Sequence, residues 1–167
     1  QALVRTAGKK GVQMYLVGGT VRDCLLGRIS HDLDFAVSGS ALTVAKLLQQ
    51  ELGGGTLIDL SGPDDEAIRL VWWGEQVDLS AFRAAATSIE QDLCLRDFTI
   101  NAMAVPFLEI LGDTPNPTFL DPTGGLDDLR EARVRHCAGA FIADPVRMLR
   151  GYRLCASLGF QLDDTTK

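Results

Sequence analysis

Gly18 and Gly19 divide two segments of different hydrophobic period, and that junction restricts what the chain can fold into. Before them, Met14-Tyr15-Leu16-Val17 is a short apolar run that suits a buried strand. After them, Thr20 to Leu26 carries Val21, Leu25 and Leu26 on one helical face, and Gly27 is a natural stop. A strand that passes through a glycine pair into a helix leaves free backbone N–H groups at the helix start. The helix dipole adds positive potential there, which makes an anion site within reach of Arg22. The same residues also fit a plain tight turn with a surface arginine.

The next segment, His31 to Val37, alternates as a strand, with Leu33, Phe35 and Val37 on one face and Asp32, Asp34 and Ala36 on the other. Asp32 and Asp34 therefore point the same way a few Å apart. Two such carboxylates repel unless a proton or a divalent cation sits between them. Mg²⁺ suits these oxygen ligands and completes its shell with substrate phosphates. A solvated strand face is the plainer reading, but the pair begins about a dozen residues after the glycine turn.

Downstream, Ser40 is expected to cap a helix through about Glu51, with Leu42, Ala45, Leu48 and Leu52 inward. Thr56 to Leu60 reads as a strand broken at Ser61-Gly62-Pro63-Asp64. Ile68–Trp72 and Gln76–Ser80 read as a hairpin across Trp73-Gly74-Glu75. Asp78 then faces away from Val77 and Leu79. If its strand neighbours Asp32-Leu33-Asp34, three carboxylates can share a metal site of the kind used in two-metal phosphoryl or nucleotidyl transfer. An exposed polar face is the alternative.

Ser88-Ile89-Glu90-Gln91 can open a helix with a capping box. In Arg96-Asp97-Phe98-Thr99-Ile100-Asn101, the aspartate and asparagine are four apart; such groups hold ribose hydroxyls, and Arg96 suits a triphosphate. A capped helical turn explains the same residues. Asn101 to Val105 is expected as a strand, Pro106 to Pro117 as an irregular connection, Phe119 to Gly125 as a strand and turn, Leu126 to Arg130 as a helical turn and Val134 to Cys137 as a last strand. From Phe141 the pattern becomes helical, with Ile142, Val146, Leu149 and Leu154 on the apolar face. Arg147, Arg150 and Arg153 form a basic stripe, which is either a solvated face or a phosphate contact.

Composition narrows the function classes. The 167 residues are 46% hydrophobic and 23% charged, which is globular. No apolar run nears the roughly 20 residues of a membrane helix. The net charge is −6, which disfavours a DNA-coating protein because phosphate neutralisation needs clustered cations. Yet arginines far outnumber lysines, and arginine is the residue of forked phosphate recognition. Cys24, Cys94, Cys137 and Cys155 are widely spaced, as expected of reduced structural thiols in a cytoplasmic protein. Both ends read as cut from a longer protein.

In order and spacing, five stretches resemble the class II (bacterial-type) tRNA nucleotidyltransferase and poly(A) polymerase family, within the superfamily that includes DNA polymerase beta. They are Leu16 to Arg28, Asp32-Leu33-Asp34, Arg96 to Ala104, Asp121 to Leu129 and Asp144 to Arg153. The resemblance implies an α/β (α+β) fold: residues 1–139 as a small mixed-sheet catalytic head flanked by helices, and 140–167 as the start of an all-helical neck. It implies Asp32 and Asp34 as ligands of Mg²⁺, and Gly18, Gly19 and Arg22 as phosphate contacts. It further implies Arg96, Asp97 and Asn101 around the sugar and triphosphate, and Arg147 and Arg150 at the pocket entrance; Asp78, read from its strand alternation, is the candidate third catalytic carboxylate. CTP or ATP would supply the nucleotide and the tRNA 3′ end would accept it. The family usually has two arginines before the aspartate, and Leu95 replaces the first. The short connection between Phe82-Arg83 and Arg96 resembles specialised CC-adding or A-adding enzymes. A bacterial poly(A) polymerase and a non-catalytic RNA- or nucleotide-binding module are the other readings.

Overall fold

The computed structural model describes residues 2–8, 11–30, 32–62, 65–83, 86–111 and 117–167. The expected strand start at His31 and the expected break at Pro63-Asp64 lie outside the described residues, as does part of the 106–117 connection. Helix α1 (Ala2–Gly8) precedes β1 (Met14–Val17), α2 (Gly18–Leu25), β2 (Asp32–Val37), α3 (Ala41–Leu52), β3 (Thr56–Asp59), β4 (Ala67–Trp72) and β5 (Glu75–Ala81). Then come α4 (Ile89–Cys94), a 3-10 turn over Thr99–Asn101, β6 (Ala104–Pro106), α5 (Phe107–Leu111), α6 (Gly125–Arg130), β7 (Arg133–Val134), α7 (Ala140–Ala143), α8 (Arg147–Leu158) and β8 (Gln161–Leu162).

Six strands form one mixed sheet in the order β3-β4-β5-β2-β1-β6. β1 runs antiparallel to β2 and β6, and β2 runs parallel to β5. Parallel neighbours need a crossover, and α3 with the β3–β4 pair supplies it. The alternation read for β2 holds. Phe35 and Val37 join a core with Leu48, Leu70 and Leu79 beneath α3, while Ala36 faces the opposite cluster with Tyr15, Val17 and Leu93. A third cluster, built on Phe98, Ile100, Met103 and Val134, lies against α6 and α8. Gly151 lets α8 sit on Phe98, since a Cβ there would stand 3.0 Å from the ring.

Several expectations are corrected. The β4–β5 turn has two residues, because Trp72 pairs with Glu75 across Trp73 and Gly74, both at positive φ. Leu42 is exposed, and Ala41, Val44, Ala45 and Leu48 form the buried face of α3; Ser40 caps it as expected, accepting from Thr43 N. The segment expected as a strand from Asn101 is a 3-10 turn followed by the shorter β6. Part of the expected irregular connection is α5. The last segment is not purely helical, since β8 pairs in parallel with β7. Its helix is also rotated from the expected face: Ile142, Val146 and Leu149 are exposed, while Leu154, Cys155 and Leu158 pack on the third cluster. Helical period fixes which residues share a face; the neighbouring surface decides which face is buried.

Candidate active site

The β1–α2 junction forms a narrow rim. Gly18 has φ +67°, a left-handed conformation that costs glycine nothing. A Cβ on Gly18 would stand 3.3 Å from Arg96 Nη1 and 3.5 Å from Asp34 Oδ2. On Gly19 it would stand 3.4 Å from Arg22 Nη2. Side chains at either position would fill the space between an aspartate and two guanidiniums. Thr20 ties this rim to the next strand: its hydroxyl donates to Asp32 O and accepts from Asp34 N, each at 2.9 Å.

Parallel pairing of β2 with β5 sets Asp34 directly beside Asp78. Burial raises the Asp34 carboxyl above its ordinary value; the charge of Asp78 adds to the rise, and Arg96 opposes it. Asp78 is held by a bidentate pair with Arg69, both contacts 2.7 Å, across the β4–β5 register. Asp32 is exposed at the start of the strand. The expectation that Asp78 joins Asp32 and Asp34 around one metal thus meets a different arrangement. Among the described residues no three His, Cys, Asp or Glu side chains stand close enough to share an ion. Both oxygens of Asp78 face Arg69 instead.

A cavity of about 260 Å³ opens beside this pair, and its lining includes Gly18, Gly19, Asp34, Asp78, Arg96, Asp97, Asn101, Arg147 and Arg150. Arg22 and Asp32 stand next to it without lining it. Arg22 gives Nε and Nη2 to Asp23 and Nη1 to Asn101 Oδ1 at 2.6 Å. Asn101 Nδ2 approaches Asp97 Oδ1 at 3.5 Å, so the expected i, i+4 association is present. The buried Asp97 Oδ2 makes an ion pair with Arg150 Nη2 at 3.0 Å, although no well-directed hydrogen bond reaches it. Arg147 Nη1 donates to Leu95 O. The cavity is therefore acidic on the Asp34–Asp78 side and basic on the Arg96–Arg150 side. Such a division suits a cation bound next to a polyanion.

Sequence reasoning missed three residues here. Arg69 was open to discovery, because a two-residue hairpin turn sets it opposite Asp78. Asp92 was open as well, lying four residues before Arg96 on a helix. Arg83 carried no local signal and arrives through tertiary structure.

The profile of the poly(A) polymerase head domain matches residues 14–135. The chain belongs to that family. Among curated members, the CC-adding tRNA nucleotidyltransferase of Geobacter sulfurreducens is 38% identical over 160 residues, covering 93% of this chain and 34% of the relative. The A-adding tRNA nucleotidyltransferase of Aquifex aeolicus is 36% identical over 171 residues, covering 93% and 20%. A solved structure of a tRNA-processing enzyme with CTP superposes with TM-score 0.81 at 37% identity, covering 98% of this chain and 43% of that one. The family's mixed α/β head is thus the fold observed. The chain spans about a third of the Geobacter relative and less of the Aquifex one.

Proposed function

We propose that the protein is a tRNA 3′-end nucleotidyltransferase that moves CMP or AMP from CTP or ATP to the terminal hydroxyl of tRNA. The observation that carries this reading is the single cavity edge where Asp34, a glycine rim and a set of arginines meet. The relatives named above add the acceptor class.

In the reaction, the tRNA 3′-hydroxyl gives up its proton to solvent and its oxygen forms a bond to the α-phosphorus. The bond from that phosphorus to the bridging oxygen breaks, and pyrophosphate leaves. The donor set fits Mg²⁺, since Asp34 is a carboxylate whose charge is disfavoured by burial and by Asp78, and a cation relieves both effects. Asp32 and Asp34 would hold the ion, which supplies charge neutralisation at the phosphates. Asp78, fixed by Arg69, orients the attacking hydroxyl. Gly18 and Gly19 admit phosphate oxygens to the start of α2, and Arg22 braces Asn101 behind them. Arg96, Asp97 and Asn101 take the sugar and triphosphate, and Arg147 and Arg150 close the basic side. We assign residues 1–139 to the head and 140–167 to the beginning of a neck. We place the protein in the cytoplasm, where its free cysteines stay reduced.

The test supplies each nucleotide singly with Mg²⁺ to tRNAs ending before, within and one residue short of CCA. Incorporation that depends on the tRNA terminus and is lost in Asp32→Ala is expected. Equal extension of unstructured RNA by many adenylates would favour a poly(A) polymerase. Nucleotide binding without any transfer would leave a binding module.

A further inference from the structure

Arg83 follows β5 by two residues, and Arg96 follows α4, yet both line the one cavity. The carboxylate of Asp92 holds them together. Its Oδ1 accepts from Arg83 N at 2.8 Å and from Arg83 Nη1 at 3.1 Å, and its Oδ2 accepts from Arg96 Nε at 3.2 Å and Nη2 at 3.0 Å. Asp92 is completely buried, whereas the Arg83 side chain keeps 25% of its surface exposed. One carboxylate thus hydrogen-bonds two guanidiniums, while the charges of Asp97 and Asp34 act on Arg96 from the cavity side.

The donors left over have a direction. Arg96 spends Nε and Nη2 on Asp92, and its Nη1 faces the space over Gly18, 3.3 Å from where a Cβ would stand. Arg83 spends only Nη1 of its side chain on Asp92. The two cations also oppose each other: burial holds Arg96 below the ordinary arginine value, and the Arg83 charge lowers it further. Two forked cations fixed side by side by a carboxylate behind them, with unspent donors toward the cavity, are arranged for a multiply charged anion in front.

We infer that Arg83 is a second polyphosphate-binding residue, paired with Arg96 and held by Asp92 as a positioning residue for the incoming nucleoside triphosphate. This rests on the nucleotidyl-transfer reading. Leu95 brings no charge to this site, and Arg83 supplies the second cation from a different element.

The test measures calorimetric affinity of the protein with Mg²⁺ for CTP, inorganic tripolyphosphate and CMP, in wild type, Arg83→Gln and Arg83→Lys. Loss of charge-assisted hydrogen bonds to a phosphate weakens CTP and tripolyphosphate binding by about 10- to 100-fold in R83Q. CMP binding stays within twofold, and R83K falls between. Thermal unfolding checks that each variant is folded. If R83Q does not fold, R83K, which keeps the charge beside Asp92, carries the comparison. CTP and tripolyphosphate affinities within twofold of wild type in the folded variant overturn the assignment, as does an equal loss for CMP. Wild-type protein that binds no CTP brings down the nucleotidyl-transfer reading and this inference with it. Wild-type transfer combined with unchanged R83Q affinity removes this inference alone.

Discussion

Replacing Asp92 tests how the basic side of the cavity is built. Its carboxylate, 0% exposed, accepts five hydrogen bonds, three from Arg83 and two from Arg96. In Asp92→Ala the Arg96 side chain, 9% exposed, keeps its charge and loses its hydrogen-bonded carboxylate, with Arg83 still beside it and the more distant Asp97 to oppose it. Removing one partner of a buried ion pair costs about 3–5 kcal/mol, because the other charge is left uncompensated. At roughly 3 °C per kcal/mol for a chain of this size, the melting temperature falls by about 12 °C. Asp92→Asn keeps the volume and one acceptor but turns an NH₂ toward a donor, so its loss should be nearly as large. Urea denaturation followed by circular dichroism gives the free energies directly, and an unchanged slope excludes a change in the unfolded state. A loss below 1 kcal/mol in both variants would mean that Arg83 and Arg96 are positioned by something else, and the electrostatic account of this side would be wrong.

Other outcomes follow from the same geometry. Asp34→Asn removes a charge that burial and Asp78 disfavour, so the metal-free protein should melt higher at neutral pH while transfer to tRNA is lost. The sign follows from its raised folded value: ionisation costs stability, and the gain should shrink as pH falls toward the ordinary carboxylate range and protonates wild type too. A lower melting temperature at pH 7 would contradict this. Burial pushes the Cys137 thiol up to about 12 from 9.0. Between those values the unfolded chain loses the proton first, so stability falls by about 1.4 kcal/mol per pH unit relative to Cys137→Ala; parallel alkaline denaturation curves for the two proteins would refute it. A Cβ on Gly125 would run into Thr99 O, a backbone atom that cannot swing away. Gly125→Ala should therefore cost about 3 kcal/mol in urea unfolding, and a neutral result would show that α6 can shift.

The local pieces were legible because each is a matter of period and spacing. The Gly18-Gly19 junction, the alternation of β2, the Ser40 cap and the closeness of Asp97 to Asn101 all follow from residues a few positions apart. The exposed faces of α7 and α8 were misread because Ile142, Val146 and Leu149 have the spacing of a core stripe, and spacing does not say which surface comes to meet it. The third carboxylate was correctly placed beside Asp34, yet its engagement by Arg69 depended on a turn one residue shorter than expected.

The sequence by itself therefore determined the family, the strand–glycine–helix rim and the paired acids, since these are written in contiguous residues. Only the tertiary structure decided which charges meet. Arg83, Asp92 and Arg96 come from the end of one strand, one helix and the turn after it, and their grouping exists only once the sheet and α4 have packed. Charge interactions act through space in a desolvated interior, where distance and burial set their strength, and a linear sequence carries neither quantity.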